Sequence, residues 1–185
     1  GARSDARKAR APQLSVIRPE NMPDAQIQEA IDRYLQARHE LLLLGEAHPD
    51  RIGGNDNIIG RIGEFIALRF HESLDQNPMN MEGVSNQGYD LIDGNIQTQV
   101  KVITKENKMG RNVRLVEPWT QLVVVELGES YKPNRIGVLD KSQFQRARSE
   151  NSTWSATPYV KRSMLGKKGL IGKYGHVYED DEPAV

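Results

Sequence analysis

Residues 89–104 read Tyr89-Asp90-Leu91-Ile92-Asp93-Gly94-Asn95-Ile96-Gln97-Thr98-Gln99-Val100-Lys101-Val102-Ile103-Thr104. Two runs of period two flank Asp93-Gly94, a strong hairpin turn signal. Residues 89–92 are predicted to form a short strand and 96–104 a longer, β-branched one. Side chains alternate across a strand. Gln97, Gln99, Lys101 and Ile103 therefore share one face of the second strand, and Thr98, Val100 and Val102 the other. The turn would bring Asp90 beside Gln99 or Lys101.

Upstream of the hairpin the apolar period is helical. Asp24 can cap a helix in which Ile27, Ile31, Leu35 and Leu42 recur at helical spacing, widened by Ala30 and Tyr34 and ended by Gly45. A loop, Gly53-Gly54-Asn55-Asp56, separates it from a second helix predicted over 57–73, with Ile58, Ile59, Ile62, Phe65, Ile66 and Phe70 as its apolar positions. Downstream, 121–127 contains Val123-Val124-Val125, the pattern of a central strand buried on both faces. A shorter strand is expected over 135–139 and a short helix over 143–150. Residues 151–178 are glycine-rich and basic and read as largely irregular. The expected class is mixed α/β: a central mixed sheet flanked by helices. A flexible basic tail over 1–23, a single domain over 24–178 and an acidic tail over 179–185 complete the expected organisation.

Bulk composition excludes more than it assigns. The chain has 185 residues, 37% hydrophobic and 27% charged, enough apolar material for one core. Basic and acidic residues balance at 25 each, so any nucleic-acid signal must lie in how charge is distributed. There is no cysteine, which removes disulfides, thiolate metal sites and cysteine nucleophiles. His39, His48, His71 and His176 lack the i, i+4 spacing of a helical zinc pair. The longest leucine run, Leu41 to Leu44, is too short to cross a bilayer, and no apolar stretch follows the basic start. No membrane association and a cytoplasmic location are expected.

Three features stand out against this background. Gln99 and Lys101 are neighbours on one strand face, ordinarily a solvent-facing polar side. Asp90 lies on a short apolar strand within reach of them, where a simple cross-strand ion pair is the plain alternative. Glu64 sits in Gly60-Arg61-Ile62-Gly63-Glu64-Phe65-Ile66-Ala67, where two glycines each cost a helix up to about 1 kcal/mol. They imply close backbone approach, and tight packing on a sheet would explain them equally.

Glu64 on an early helix, Asp90 in Gly88-Tyr89-Asp90-Leu91-Ile92 and Gln99-Val100-Lys101 on the next strand together resemble the PD-(D/E)XK nuclease superfamily, the restriction-endonuclease-like fold. The resemblance spans about residues 57–139. It departs from the commoner pattern at Gln99, where Asp or Glu is usual. It implies a metal-dependent endodeoxyribonuclease of restriction or homing type, with Glu64, Asp90, Gln99 and Lys101 as catalytic residues. Mg²⁺, with Mn²⁺ as a substitute, would be held by Asp90, Gln99, Glu64 and the Val100 carbonyl. Hard oxygen donors of this kind suit Mg²⁺, and a metal supplies what phosphodiester hydrolysis needs. Lys101 would orient or help deprotonate water.

Positive charge is clustered. Lys105, Lys108, Arg111 and Arg114 follow the Lys101 strand, and Lys161, Arg162, Lys167, Lys168 and Lys173 lie in a C-terminal segment interleaved with Trp154, Tyr159 and Tyr174. These are the expected DNA contacts, an ordinary lysine-rich surface being the plain alternative. One site per chain implies a homodimer or a partner subunit for cutting both strands. The competing expectation is a non-catalytic nucleic-acid-binding or assembly subunit on the same fold. A cytoplasmic interaction domain with a coincidental cluster is a third.

Overall fold

A computed structural model of the chain describes residues 22–47, 58–81, 88–105, 113–128, 131–152, 154 and 158–179. Two helices lead: α1 (Met22–Ala47) and α2 (Ile58–Glu72). The strands β1 (Met79–Asn80), β2 (Leu91–Asp93), β3 (Ile96–Ile103), β4 (Val113–Arg114), β5 (Gln121–Leu127) and β6 (Pro133–Asp140) follow. Helix α3 (Lys141–Glu150), strand β7 (Tyr159–Val160), a 3-10 turn (Arg162–Leu165), helix α4 (Leu170–Tyr174) and strand β8 (His176–Glu179) complete the order.

Six strands form one mixed sheet in the order β1-β2-β3-β5-β6-β8. Every neighbouring pair is antiparallel except the central pair, β3 and β5, which is parallel with Val100 opposite Val123. Strand β4 lies in the connection that makes this parallel return, and it pairs with β7 in a separate two-stranded ribbon. The mixed α/β class expected from the sequence is thus what the chain adopts.

Alternation along β5 explains the two cores. Val123 and Val125 face α2, joining Ile59, Ile62, Ile66, Ala67, Phe70, Leu91, Val100 and Ile136. Leu122 and Val124 face α3 and the C-terminal segment, joining Phe144, Ala147, Trp154, Leu165 and Ile171. Helix α2 approaches β3 closely because Gly63 has no side chain: a Cβ there would lie 1.9 Å from Val102 Cγ2. Gly60 has no such reason, since nothing lies within 4 Å of its Cβ direction.

Several boundaries differ from expectation. Helix α1 begins at Met22, inside the segment read as tail. Helix α3 begins at Lys141 rather than 143, because Asp140 and Gln143 form a reciprocal capping box. Strand β6 is longer than expected, running from Pro133 to Asp140. Strand β2 starts at Leu91, not 89: the Asp90 N–H bonds to the Thr98 carbonyl, one residue out of step with the Leu91–Thr98 pairing. The C-terminal segment is more regular than its glycines suggest. It contains β7, α4 and β8, and β8 closes the sheet edge against β6. Glu179, read as the start of the acidic tail, is the last residue of β8. The remaining tail residues (1–21 and 180–185), the 53–56 loop, Lys108 and Arg111 lie outside the described residues.

Candidate active site

The hairpin forms as its turn predicts. Gly94 takes φ +56°, the positive value that a two-residue hairpin loop asks of a glycine. Asp93 pairs with Ile96 across it, and Leu91 with Thr98. Beyond Leu91 the ladder slips by one residue, a local irregularity that re-aims a side chain. The Asp90 carboxylate turns into the seam, where Oδ2 accepts the Val100 N–H at 2.7 Å. Its backbone is held on both sides, by Thr98 and by Met81.

Asp90, Lys101 and Glu64 form one electrostatic group. Burial pushes the Asp90 carboxyl above its ordinary pKa, against the opposing pull of the Val100 N–H and the Lys101 charge. Burial likewise pushes the Lys101 ammonium below its ordinary value, although the charges of Asp90 and Glu64 oppose this. Both shifts have the sign of desolvation outweighing attraction. Lys101 thus lies within Coulombic reach of both carboxylates. Glu64 is half-buried on α2, the helix that Gly63 lets down onto β3.

Gln99 is placed differently. It is 2% exposed, and its carboxamide is fully engaged. Nε2 donates to the carbonyls of Gly88 and Val116, each at 2.7 Å. Oε1 accepts the Val116 N–H at 3.2 Å. The reverse amide orientation would set an oxygen against two carbonyls, so the assignment follows from the partners. Gly88 and Val116 were not foreseen. Their contact with Gln99 joins segments 11 and 17 residues away, which no local pattern encodes.

Two carboxylates and neighbouring backbone oxygens are a hard donor set, of the type Mg²⁺ takes. Among the described residues no group of three His, Cys, Asp or Glu side chains could hold a metal ion. A metal held here would need backbone, water or phosphate oxygens beside any carboxylate ligand. Burial is the first cause of both the raised carboxyl and the lowered ammonium.

The candidate DNA contacts divide. Lys105, Arg114, Lys167, Lys168 and Lys173 are exposed. Arg114 lies opposite Tyr159 in the β4–β7 ribbon, and the Lys161 Nζ stands 6.0 Å from the Tyr159 ring centroid. The Lys173 Nζ stands 4.9 Å from the Tyr174 ring. Lys167 and Lys168 sit on a tight turn, where a Cβ at Gly169 would lie 2.4 Å from the Ser163 carbonyl oxygen.

Arg162 is turned inward. Its Nε lies 3.2 Å from Glu126 Oε1, and its Nη2 donates to the Thr104 carbonyl. Glu126 also accepts from Arg135 Nε at 2.6 Å and Asn134 Nδ2 at 3.0 Å. Burial raises the Glu126 carboxyl, but the bonds and charges of these partners outweigh it and the net shift is downward. The sequence signal for this cluster was an acidic residue at the end of the apolar run Leu122-Val123-Val124-Val125-Glu126.

No helix among the described residues is long and apolar enough to cross a membrane. No protein-family model matches the chain, and no curated protein matches it either.

Proposed function

We propose that the chain is a metal-dependent endodeoxyribonuclease on a restriction-endonuclease-like fold. The observation that carries this reading is the Asp90–Lys101 arrangement: two oppositely charged, half-buried groups that act on each other, the Asp90 carboxylate aimed by the Val100 N–H and Glu64 within electrostatic reach of Lys101. Shifts of the sign that both groups show cluster where charge is held ready for chemistry.

Asp90 would be the principal metal ligand, fixed in aim by the Val100 N–H. Glu64 would supply the second negative charge, directly or through water, and the Val100 carbonyl a neutral oxygen. Mg²⁺, or Mn²⁺ in its place, would supply charge neutralisation at the phosphate and a more acidic bound water. Lys101, its ammonium pushed below the ordinary value by burial, would orient or help deprotonate the attacking water and offset phosphate charge when protonated. Lys105, Arg114, Lys161, Lys167, Lys168 and Lys173 would carry the phosphate contacts that position DNA. With one site per chain, two copies or a partner subunit would cut both strands.

Plasmid nicking tests this directly. Cleavage is expected with Mg²⁺, abolished by EDTA, and reduced at least a hundredfold in Asp90→Ala and in Lys101→Ala. Undiminished cleavage by both variants would sink the reading. The engaged carboxamide of Gln99 favours a second reading, a non-catalytic nucleic-acid-binding subunit. Calorimetric titration with Mg²⁺ separates the two, since that reading expects no binding that depends on Asp90.

A further inference from the structure

We propose that Gln99 is a positioning residue of this site and not a metal ligand: its carboxamide locks the segment before Asp90 and the β4–β5 connection onto β3. The inference rests on the nuclease reading of Asp90, and it reassigns one residue within it.

Three hydrogen bonds carry it. The two from Nε2 hold the Gly88 and Val116 carbonyls, and the one to Oε1 holds the Val116 N–H. Gly88 takes φ +71°, and a Cβ on it would lie 2.4 Å from the Glu117 carbonyl carbon and oxygen. The two locked segments therefore touch each other directly over Gln99. Gly88 is two residues from Asp90, so the lock fixes the chain entering the seam where the Asp90 carboxylate meets Val100. Val116 is two residues from Arg114, so the same side chain ties the cationic β4–β7 ribbon to the strand carrying Lys101. Both amide hydrogens are needed for this. A carboxylate at position 99 has neither, and would face two carbonyl oxygens inside the protein. That chemistry accounts for glutamine standing where the family resemblance leads one to expect an acid.

Glu in place of Gln99 separates lock from ligand. For a ligand, Gln99→Glu adds a charge and tightens metal binding. For a lock, it removes both donors, and binding of Mn²⁺ at pH 8, measured by calorimetry, weakens about tenfold or more as Asp90 loses its support. The melting temperature supplies a second readout. The new carboxyl would have a folded-state pKa raised above its unfolded value, by burial and by the carbonyls. Its protonated form is therefore favoured, so the melting deficit against wild type is expected to be large at pH 8 and to shrink toward pH 5. Tighter Mn²⁺ binding with an unchanged melting temperature at both pH values would overturn the proposal.

If Gln99→Glu does not fold, the wild type still decides. Its Gln99 side-chain amide protons should exchange slowly with solvent by NMR, and fast exchange of both would overturn the lock. Failure of wild type to bind Mn²⁺ at all would strike the nuclease reading instead, with the pH-dependent melting still reporting on the lock.

Discussion

Asp90 is where local chemistry and stability conflict. Its carboxyl is raised, so the folded state favours the protonated form more than the unfolded state does. A group shifted this way lends most stability below its unfolded pKa of about 3.9 and loses it as pH rises through the higher folded value. Asp90→Asn keeps an acceptor for the Val100 N–H and removes the charge. The variant should therefore melt higher than wild type at pH 7, and the gain should vanish below about pH 4. Its cleavage activity should be lost. His71 is shifted by the same cause in the other chemical sense. Burial holds its imidazole pKa down, despite the Gln76 hydrogen bond and the Asp93 charge. Its stabilising contribution is complete above the unfolded value of about 6.5 and is lost as pH falls through the lower folded value. His71→Gln should accordingly flatten the acid limb of a melting-temperature profile. At this scale Asp90 and Lys101 were legible, because strand alternation and a turn dipeptide are local. The role of Gln99 was not, because its partners come from two distant segments.

Helix α2 is the element on which the site depends most visibly. Gly63 sets its distance from β3, and Glu64 is the next residue. Gly63→Ala should destabilise the protein by about 1–3 kcal/mol in urea unfolding, through overpacking against Val102. Cleavage should fall as well, since the helix carrying Glu64 must move. Gly60→Ala is the internal control. Its Cβ meets nothing within 4 Å, so it should stabilise by up to about 1 kcal/mol through helix propensity alone. The glycine pair in the sequence announced a close approach, but only three dimensions show that one of the two makes it. Element types were otherwise well signalled where apolar periods were long, as in α2, β3 and β5. Short pieces escaped. Strand β8 has four residues and an exposed first and last side chain, so neither period nor burial marks it. The Asp140–Gln143 capping box also escaped, although its spacing is local: the helix is expected from 143, and the box places its start at Lys141.

Across the whole molecule the charges sum to zero, so DNA affinity would depend on a local face and not on bulk attraction. Lys167 and Lys168, both exposed on the turn that Gly169 keeps tight, test this. Replacing both by alanine should weaken DNA binding across sequences and reduce the slope of log affinity against log salt by about 1–2. Arg162→Ala should act differently. It would strip a partner from buried Glu126, lowering the melting temperature more than it changes the salt slope.

The sequence by itself determined the mixed α/β class, the hairpin, the doubly buried β5 and the proximity of Asp90 to Lys101. Each of these follows from period, turn chemistry or short separation along the chain. Only the tertiary structure decided that β3 and β5 run parallel, that β8 closes the sheet edge, that Arg162 turns to Glu126 and that Gln99 spends its carboxamide on Gly88 and Val116. Those outcomes depend on which buried polar groups find partners across long separations, and a buried donor or acceptor must find one wherever the fold provides it.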